Sequence, residues 1–250
     1  MEENIYVLDC GGLPVRYSFL YPDTCSLFKG YLSEGTDCHT GIDIHVTEEF
    51  MEENRWLIKE GEESAALLEF QSLMLATGNE LLMHERALFH GAALYWKGRA
   101  WIFTAPSGTG KTTQLRHWRK LLKKEMKIIN GDKPLLAIQE DGNILVCSSP
   151  WRGKERYGLK GLSAPLGGII SLVQGDKNEI VRLSAEDAVV PLFVEFISYP
   201  ENAEQIRCQA QILERILCAV PVWKLVNIGD ESSATMTIQV LNQYMEKNNE

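Results

Sequence analysis

The stretch from Ala105 to Thr113 constrains the fold more than any other part of the sequence. It runs Ala-Pro-Ser-Gly-Thr-Gly-Lys-Thr-Thr and fits the phosphate-binding pattern Ala/Gly-x-x-x-x-Gly-Lys-Ser/Thr. Two glycines in such a loop let backbone N–H groups approach phosphate oxygens without a Cβ in the way. The predicted nucleotide-binding residues are Ser107, Gly108, Thr109, Gly110, Lys111, Thr112 and Thr113. Within this set Lys111 is predicted to contact the β- and γ-phosphates, and the Thr112 hydroxyl is predicted to bind magnesium.

The flanks of this loop agree with the prediction. Trp101–Thr104 is apolar and typical of a buried strand, and the residues after it place Leu115, Trp118 and Leu122 on one face of a helix. A phosphate-binding loop must open a helix, because helix N-termini concentrate unpaired N–H donors and the positive end of the helix dipole. The sequence therefore predicts a strand, the loop and a helix in that order.

Composition limits the classes of partner. The chain has 250 residues and a formal net charge of −9, which argues against nucleic acid as the main partner. It has no apolar run long enough to span a bilayer and no signal peptide, so we expect no membrane partner and a cytoplasmic location. Six scattered cysteines without a C-x-x-C pair indicate reduced thiols, not a zinc site or a disulfide framework.

The chain divides by pattern near residue 85. Residues 1–85 are predicted to form a β-rich N-terminal segment plus a linking helix, which runs from Ser64 to about His84 with Ser64 as its N-cap. Residues 86–250 are predicted to form the nucleotide-binding, kinase-like domain.

Two hairpins flank the glycine-rich loop and indicate the sheet type. Residues 87–95 and 99–104 are strands separated by three residues, and residues 135–139 and 143–147 are strands joined by Glu140-Asp141-Gly142. Two more strands, 168–173 and 179–183, are turned by residues 175–178. We therefore expect an α/β protein with α+β character and a mixed sheet.

Two further features point to phosphate chemistry. Asp132 ends a short apolar strand, where a carboxylate linked to magnesium belongs in a nucleotide site. Residues 148–158 form a polar loop rich in glycine, in which Arg152, Lys154 and Arg156 lie close together. The length and composition of this loop are typical of a segment that covers an anionic ligand. The alternative interpretation is a solvated basic loop.

Taken in order, these motifs resemble a known superfamily. A His-Gly hairpin (Phe89-His90-Gly91), the loop of Ser-Gly-Thr-Gly-Lys-Thr-Thr type, a strand ending at Asp132 and a Pro-Trp-x-Gly loop at 150–153 resemble the HPr kinase/phosphorylase and phosphoenolpyruvate carboxykinase superfamily. The resemblance covers about residues 86–230 and is greatest to the small HPr-kinase-related proteins, some of which phosphorylate a peptide serine. It implies a P-loop kinase core with a mixed sheet.

The resemblance also implies roles for individual residues. His90 matches the hairpin histidine near the transferred phosphate, and Asp132 matches an acidic pair that is Asp-Asp in HPr kinases and Gly131-Asp132 here. The predicted catalytic residues are Asp132, His90, Lys111, Arg152 and Arg156, of which the two arginines are inferred from the basic loop and not from the resemblance. Thr112 and Asp132 are predicted to bind the metal. The Glu-x-Arg-Gly-Leu-Gly signature matches only loosely at 155–159, and the chain is too short for a carboxykinase.

Two functions stay open at this stage. The first is an Mg-ATP-dependent kinase that acts on a serine hydroxyl of a peptide or small protein, and the second is a nucleotide-binding sensor or partner-binding module with weakened chemistry. The missing aspartate favours the second, whereas His90, Lys111, Thr112 and Asp132 favour the first, which we prefer. The sequence does not identify the acceptor, the role of residues 1–62 or the choice between ATP and another donor, and it is compatible with a homo-oligomer.

Overall fold

The computed structural model describes residues 6–34 and 42–247. The N-terminal part contains a small sheet and short helices that precede one long helix. Its strands are β1 (Tyr6–Asp9), β2 (Pro14–Tyr17), β3 (Leu32–Glu34) and β4 (Asp43–Ile44), and its helices are α1 (Asp23–Leu27), α2 (Glu48–Glu53) and α3 (Ala65–Leu82). The strand order is β3-β1-β2-β4, and a 3-10 turn (Arg55–Leu57) precedes α3.

The larger part of the chain forms a second sheet with helices packed around it. Its strands are β5 (Arg86–Leu88), β6 (Ala92–Trp96), β7 (Arg99–Thr104), β8 (Met126–Asn130), β9 (Leu135–Ile138), β10 (Ile144–Cys147), β11 (Ser163–Gln174), β12 (Glu179–Arg182) and β13 (Val222–Asn227). Its helices are α4 (Lys111–Leu122), α5 (Ala185–Phe193), α6 (Ala203–Ala219) and α7 (Glu231–Lys247), with a 3-10 turn at Lys123–Glu125.

This second sheet is mixed, as predicted. Its strands follow the order β5-β9-β10-β11-β7-β6-β8, and β13 adds to β11 and carries β12. The strands β7, β11 and β13 run parallel, whereas the hairpins β6–β7 and β9–β10 are antiparallel. The long strand β11 connects the antiparallel strands β5, β9 and β10 to the parallel part of the sheet, because it pairs with β10 near Pro165 and with β13 from Ile169 onward. The chain is thus a mixed α/β protein.

Two predictions about strands are wrong. The strand predicted over residues 87–95 is split at Phe89-His90-Gly91, since β5 pairs with β9 whereas β6 pairs with β7 and β8. The strands β11 and β12 do not form a hairpin, because β13 from much later in the chain lies between them. In both cases a partner distant in sequence decides the pairing.

The linking helix is confirmed and joins the two sheets. Helix α3 begins after Ser64, whose hydroxyl accepts a hydrogen bond from the Leu67 N–H at 3.2 Å. The indole of Trp151 lies 5.9 Å from the Phe28 ring and 5.7 Å from the Phe70 ring, so the basic loop shares a hydrophobic core with the N-terminal part. The division of the chain near residue 85 stays a prediction.

Helix α4 is fixed between the sheet and the C-terminal helix. Trp118 is fully buried with its ring against Trp96 and Phe103. On another face, the Gln114 side chain donates a 2.7 Å hydrogen bond to the Ser233 hydroxyl of α7. These contacts hold the start of α4, and therefore the glycine-rich loop, in a fixed position at the end of β7.

Two compositional predictions can be compared with the structure. Within residues 6–34 and 42–247, no helix is both long and apolar enough to cross a membrane. The cysteines at 10, 25, 147, 208 and 218 are free thiols, and Cys38 lies outside the described residues. A cytoplasmic location stays a prediction.

Candidate active site

The glycine-rich loop connects β7 to α4, as the sequence predicts. Gly108 and Gly110 have φ values of +84° and +116°, a backbone region that residues with a Cβ rarely adopt. Gly110 is the N-cap of α4 and gives no side-chain cap, and the first turn of the helix contains no acidic residue. The first N–H groups of α4 have no partner within the helix and are available to an anion.

Lys111 occupies a buried position in this loop. Its ammonium group donates hydrogen bonds to the carbonyl oxygens of Ala105, at 2.6 Å, and Pro106, at 3.4 Å. Burial lowers the pKa of the Lys111 amine below the usual lysine value, while the negative charges of Asp132 and Glu195 act in the opposite direction. A cation held by neutral carbonyls in a cleft is suited to contact a phosphate.

The break between β5 and β6 brings three distant segments together. The backbone N–H of His90 donates to the carbonyl of Glu195 at 2.7 Å, and that of Gly91 donates to the carbonyl of Asp132 at 2.8 Å. The same break that contradicts the predicted long strand therefore holds the histidine beside the aspartate.

The side chains at this crossing form a row in which one contact is a hydrogen bond and the other is a longer polar contact. The Nδ1 atom of His90 lies 2.9 Å from a carboxylate oxygen of Glu195, and its Nε2 atom lies 3.6 Å from a carboxylate oxygen of Asp132. Glu195 is buried, whereas His90 and Asp132 each keep about a fifth of their side-chain surface exposed. The row thus runs from a buried carboxylate to a carboxylate that faces the cleft.

Asp132 is held by its backbone and by a neighbouring cation. The Oδ1 atom of Asn130 accepts hydrogen bonds from the N–H groups of Asp132 and Lys133, both at 2.8 Å. The Lys133 ammonium group is also paired with the Asp132 carboxylate. A serine hydroxyl or a metal ion at Asp132 would therefore compete with Lys133.

The position before Asp132 is tightly packed, so a side chain there would require its neighbours to shift. A Cβ added to Gly131 would lie 3.0 Å from the Tyr157 Cβ and 3.1 Å from the Arg152 carbonyl oxygen. The Gly131 N–H also donates to the Tyr157 carbonyl at 2.9 Å. The basic loop therefore lies directly against the site of the missing aspartate.

The two arginines of the basic loop have different environments. The Arg152 guanidinium stacks 5.3 Å above the Tyr31 ring and donates to the Gly158 carbonyl at 3.4 Å. Arg156 is exposed, and its backbone has a φ of +53°. Arg152 is thus tied into the structure, whereas Arg156 is presented to solvent at the edge of the cleft.

These features surround one cleft of about 790 Å³. It is near the upper end of the roughly 300–1,000 Å³ that small-molecule sites occupy. Of the predicted site residues, Thr109 is not in its wall. The predicted residues that line it are His90, Ser107, Gly108, Gly110, Lys111, Thr112, Thr113, Asp132, Arg152 and Arg156.

The donor groups that line the cleft match those that a magnesium ion takes in nucleotide sites. Among the described residues, no group of three or more His, Cys, Asp or Glu side chains could hold a metal. Thr112 and Asp132 both line the cleft and would offer a hydroxyl and a carboxylate oxygen. Magnesium in nucleotide sites takes one or two protein oxygens and completes its shell with phosphates and water, so this donor set fits it.

Comparison with known proteins finds a similarity in structure but none in sequence. No family model and no curated protein sequence matches it. The structure of the Hpr(Ser) kinase/phosphatase from Coxiella burnetii matches 64% of this chain and 98% of that chain, with 11% identity and a TM-score of 0.36. The match is distant. The chemistry of the cleft therefore has to be judged from its own residues.

Two features were not predicted from the sequence: the buried Glu195 behind His90 and one part of the cleft wall. Glu195 follows an amphipathic helix and has no motif around it. The residues of the N-terminal part that line the cleft were also missed, because no local pattern connects them with the glycine-rich loop. They are Leu27, Lys29, Leu57, Ile58, Lys59, Glu62, Leu67, Phe70 and Gln71.

Proposed function

We propose that this protein is a kinase that binds Mg-ATP in the cleft and transfers a phosphoryl group to a serine hydroxyl of a peptide or small protein. The supporting observation is that the buried Lys111, the open start of α4 and the row Asp132–His90–Glu195 all belong to one site. A phosphate-binding loop, a cation and a carboxylate are the groups that phosphoryl transfer requires.

Each residue then has a physical role. Lys111 and the N–H groups of the loop bind the phosphates, and Thr112 with Asp132 would hold the magnesium ion. Bound Mg-ATP supplies the phosphoryl group and counter-charge for its oxygens. The serine Oγ forms a bond to the γ-phosphorus while the bond to the β–γ bridging oxygen breaks, and the leaving group is ADP. Asp132 accepts the hydroxyl proton, and His90 orients the Asp132 carboxylate.

A specific observation supports a second candidate, a nucleotide-binding sensor with weakened transfer chemistry. Only one carboxylate is present where the resembled family has two, and Lys133 already pairs with it. A single carboxylate serves poorly as both metal ligand and proton acceptor. We therefore expect a slow enzyme under the first proposal and no acceptor phosphorylation under the second.

Calorimetric titration with Mg-ATP tests the nucleotide site. Lys111→Ala and Thr112→Ala should each weaken binding about tenfold or more, because each removes a charge-assisted contact that contributes ~1.5–3 kcal/mol. Lys124→Ala, an exposed lysine outside the cleft, is the matched control and should bind as wild type does. Equal affinity in wild type and Lys111→Ala would exclude the phosphate-binding role of the loop.

Asp132→Asn separates the kinase from the sensor. The substitution keeps the shape of the side chain but removes its proton acceptor, so it should abolish phosphoryl transfer and largely keep Mg-ATP binding. ADP release in the presence of serine-containing peptides measures transfer. Turnover near the wild-type rate in Asp132→Asn would mean that the base lies elsewhere, and His90 would be the next residue to test.

A further inference from the structure

The N-terminal part contributes a distinct surface to the cleft. We name the set Leu27, Lys29, Leu57, Ile58, Lys59 and Leu67 the acceptor wall. All six line the same cleft as the glycine-rich loop and Asp132. The four apolar side chains are half-buried and the two lysines are exposed, so the wall offers both apolar contact and positive charge.

The acceptor wall is held firmly against α3. The buried Glu69 carboxylate accepts hydrogen bonds from the Leu20 N–H at 2.5 Å, the Tyr21 N–H at 3.1 Å and the Thr24 hydroxyl at 2.5 Å. These bonds fix the segment that leads into α1 and Lys29. Because the buried Trp151 packs against Phe70 of the same helix, the start of the basic loop is fixed relative to α3.

The charge of the cleft is opposite to that of the chain. Among its described lining residues are seven lysines and arginines against three carboxylates, in a protein whose formal net charge is −9. Lys111 and Lys133 lie near Asp132, and Glu155 pairs with Arg116 at 3.5 Å. The positive charge that remains belongs mainly to Lys29, Lys59, Lys154 and Arg156.

Two of these lysines come from different parts of the chain and meet at the cleft. Lys59 follows the 3-10 turn before α3, and Lys154 lies at the tip of the basic loop. The Lys154 ammonium group is close enough to lower the pKa of the Lys59 amine, with a smaller contribution from burial, while Glu62 acts in the opposite direction. Both lysines line the same cleft, where their like charges together favour an anion.

We propose, on the basis of the kinase function proposed above, that the acceptor wall and Lys154 bind a polypeptide acceptor that carries acidic side chains beside an apolar residue. The apolar residue packs on the leucines and isoleucine of the wall, and the acidic side chains pair with Lys29, Lys59 and Lys154. The N-terminal part thus selects the acceptor, while the loop after β7 binds the nucleotide.

The test uses fluorescence anisotropy of short labelled peptides that contain one serine next to a leucine. Three versions differ only in flanks of glutamate, glutamine or lysine, and binding is measured without nucleotide. The glutamate peptide should bind wild type about tenfold more tightly than the glutamine peptide. Replacement of its leucine by glutamine should weaken binding. Equal binding of the glutamate and glutamine peptides would overturn the proposal.

Charge reversal locates the binding surface. The double variant Lys59→Glu/Lys154→Glu should lose affinity for the glutamate peptide about tenfold or more and gain affinity for the lysine peptide. Lys124→Glu/Lys127→Glu makes the same charge change on exposed residues outside the cleft and should keep wild-type affinity. An equal loss in both double variants would reject the surface. If the reversal prevents folding, Lys59→Gln/Lys154→Gln takes its place.

Two further measurements test whether the lysines bind an anion other than an acidic peptide. If the lysines bind the nucleotide phosphates instead, Lys59→Glu/Lys154→Glu will weaken Mg-ATP binding as much as peptide binding, which contradicts the proposal. A uridine oligonucleotide of equal charge that binds as tightly as the glutamate peptide also contradicts it. Peptide binding is measured without nucleotide. A wrong acceptor proposal therefore shows in the peptide measurements alone, whereas a wrong nucleotide-site proposal shows in the titration with Mg-ATP.

Discussion

The Nδ1 atom of His90 lies 2.9 Å from a carboxylate oxygen of Glu195, a residue 105 positions later in the chain. With Nδ1 as donor, this bond fixes the orientation of the ring and directs Nε2 toward Asp132. Under the proposed kinase function, Glu195 is thus a positioning residue, which acts on the reacting groups through His90.

Glu195→Gln tests this role directly. The amide keeps the volume of the side chain but can present either its oxygen or its NH₂ group to Nδ1, so the bond no longer determines which ring nitrogen carries the proton. We expect turnover to fall about tenfold while Mg-ATP affinity and the thermal midpoint stay near wild type. Glu201→Gln, on an exposed residue outside the cleft, should leave turnover unchanged. Full activity in Glu195→Gln would remove the residue from the mechanism.

The two arginines of the basic loop should respond differently to substitution by lysine. Arg156→Lys should lower turnover several-fold without loss of stability, because a lysine cannot contact two phosphate oxygens as a guanidinium does. Arg152→Lys should lower the thermal midpoint instead, since it loses the stacking on Tyr31. ADP release and thermal unfolding measure the two effects. Unchanged turnover in both variants would leave the loop as a solvated basic segment.

Limited proteolysis tests whether the loop closes on nucleotide. Lys154 and Arg156 are exposed sites for trypsin, and the loop is anchored at Trp151. Mg-ATP should slow cleavage at these two positions in wild type but not in Lys111→Ala. Cleavage that is indifferent to nucleotide in wild type would contradict contact between the loop and the phosphates.

A second carboxylate placed at position 131, beside Asp132, should not raise the turnover of the proposed kinase. Gly131→Asp places a Cβ about as close to Tyr157 and Arg152 as backbone packing allows, so we expect a loss of ~1–3 kcal/mol in the free energy of unfolding. Gly131→Ala shares the steric effect without the charge and is the control. Chemical denaturation and ADP release measure the outcome. Higher turnover at unchanged stability would show that the loop can yield to a side chain.

The lowered pKa of Lys111 predicts a pH dependence of nucleotide binding. Phosphate raises this pKa, so Mg-ATP binding should take up protons in alkaline solution, between the lowered pKa of Lys111 and the usual lysine value. Affinity should fall as the pH rises through the lowered pKa, because the free amine then loses its charge. Calorimetry in buffers of different ionisation enthalpy measures the uptake, and Lys111→Met should abolish it. In the free protein the unfolded chain holds this proton more tightly, so Lys111 makes stability rise with pH across the same range.

Local patterns predict those parts of the molecule whose partners are near in sequence. The strand before the glycine-rich loop, the helix after it, the Ser64 cap and the hairpin β9–β10 depend on periodicity, capping and turn residues within a few positions. The hairpin arm at 87–95 was predicted too long because apolar periodicity continues through Phe89, whereas the backbone changes its strand partners there.

The remaining features depend on contacts between distant residues. Glu195 reaches His90 because backbone hydrogen bonds join residues 88–90 to residues 195–197, and no residue type near Glu195 signals this pairing. The basic loop was predicted from its composition, but its anchoring by Trp151 on α3 depends on the aromatic rings of Phe28 and Phe70. The acceptor wall likewise belongs to the cleft only through tertiary packing.

The position of β13 between β11 and β12 affects the order in which parts of the chain can fold during synthesis. During synthesis β11 emerges long before residues 222–227, so one of its sides stays an open edge until those residues have left the ribosome. The contact between Gln114 and Ser233 also waits for α7. The segment that carries Lys111 therefore gains this support only after residues 231–247 have been synthesised, and a nascent chain released before them would lack it.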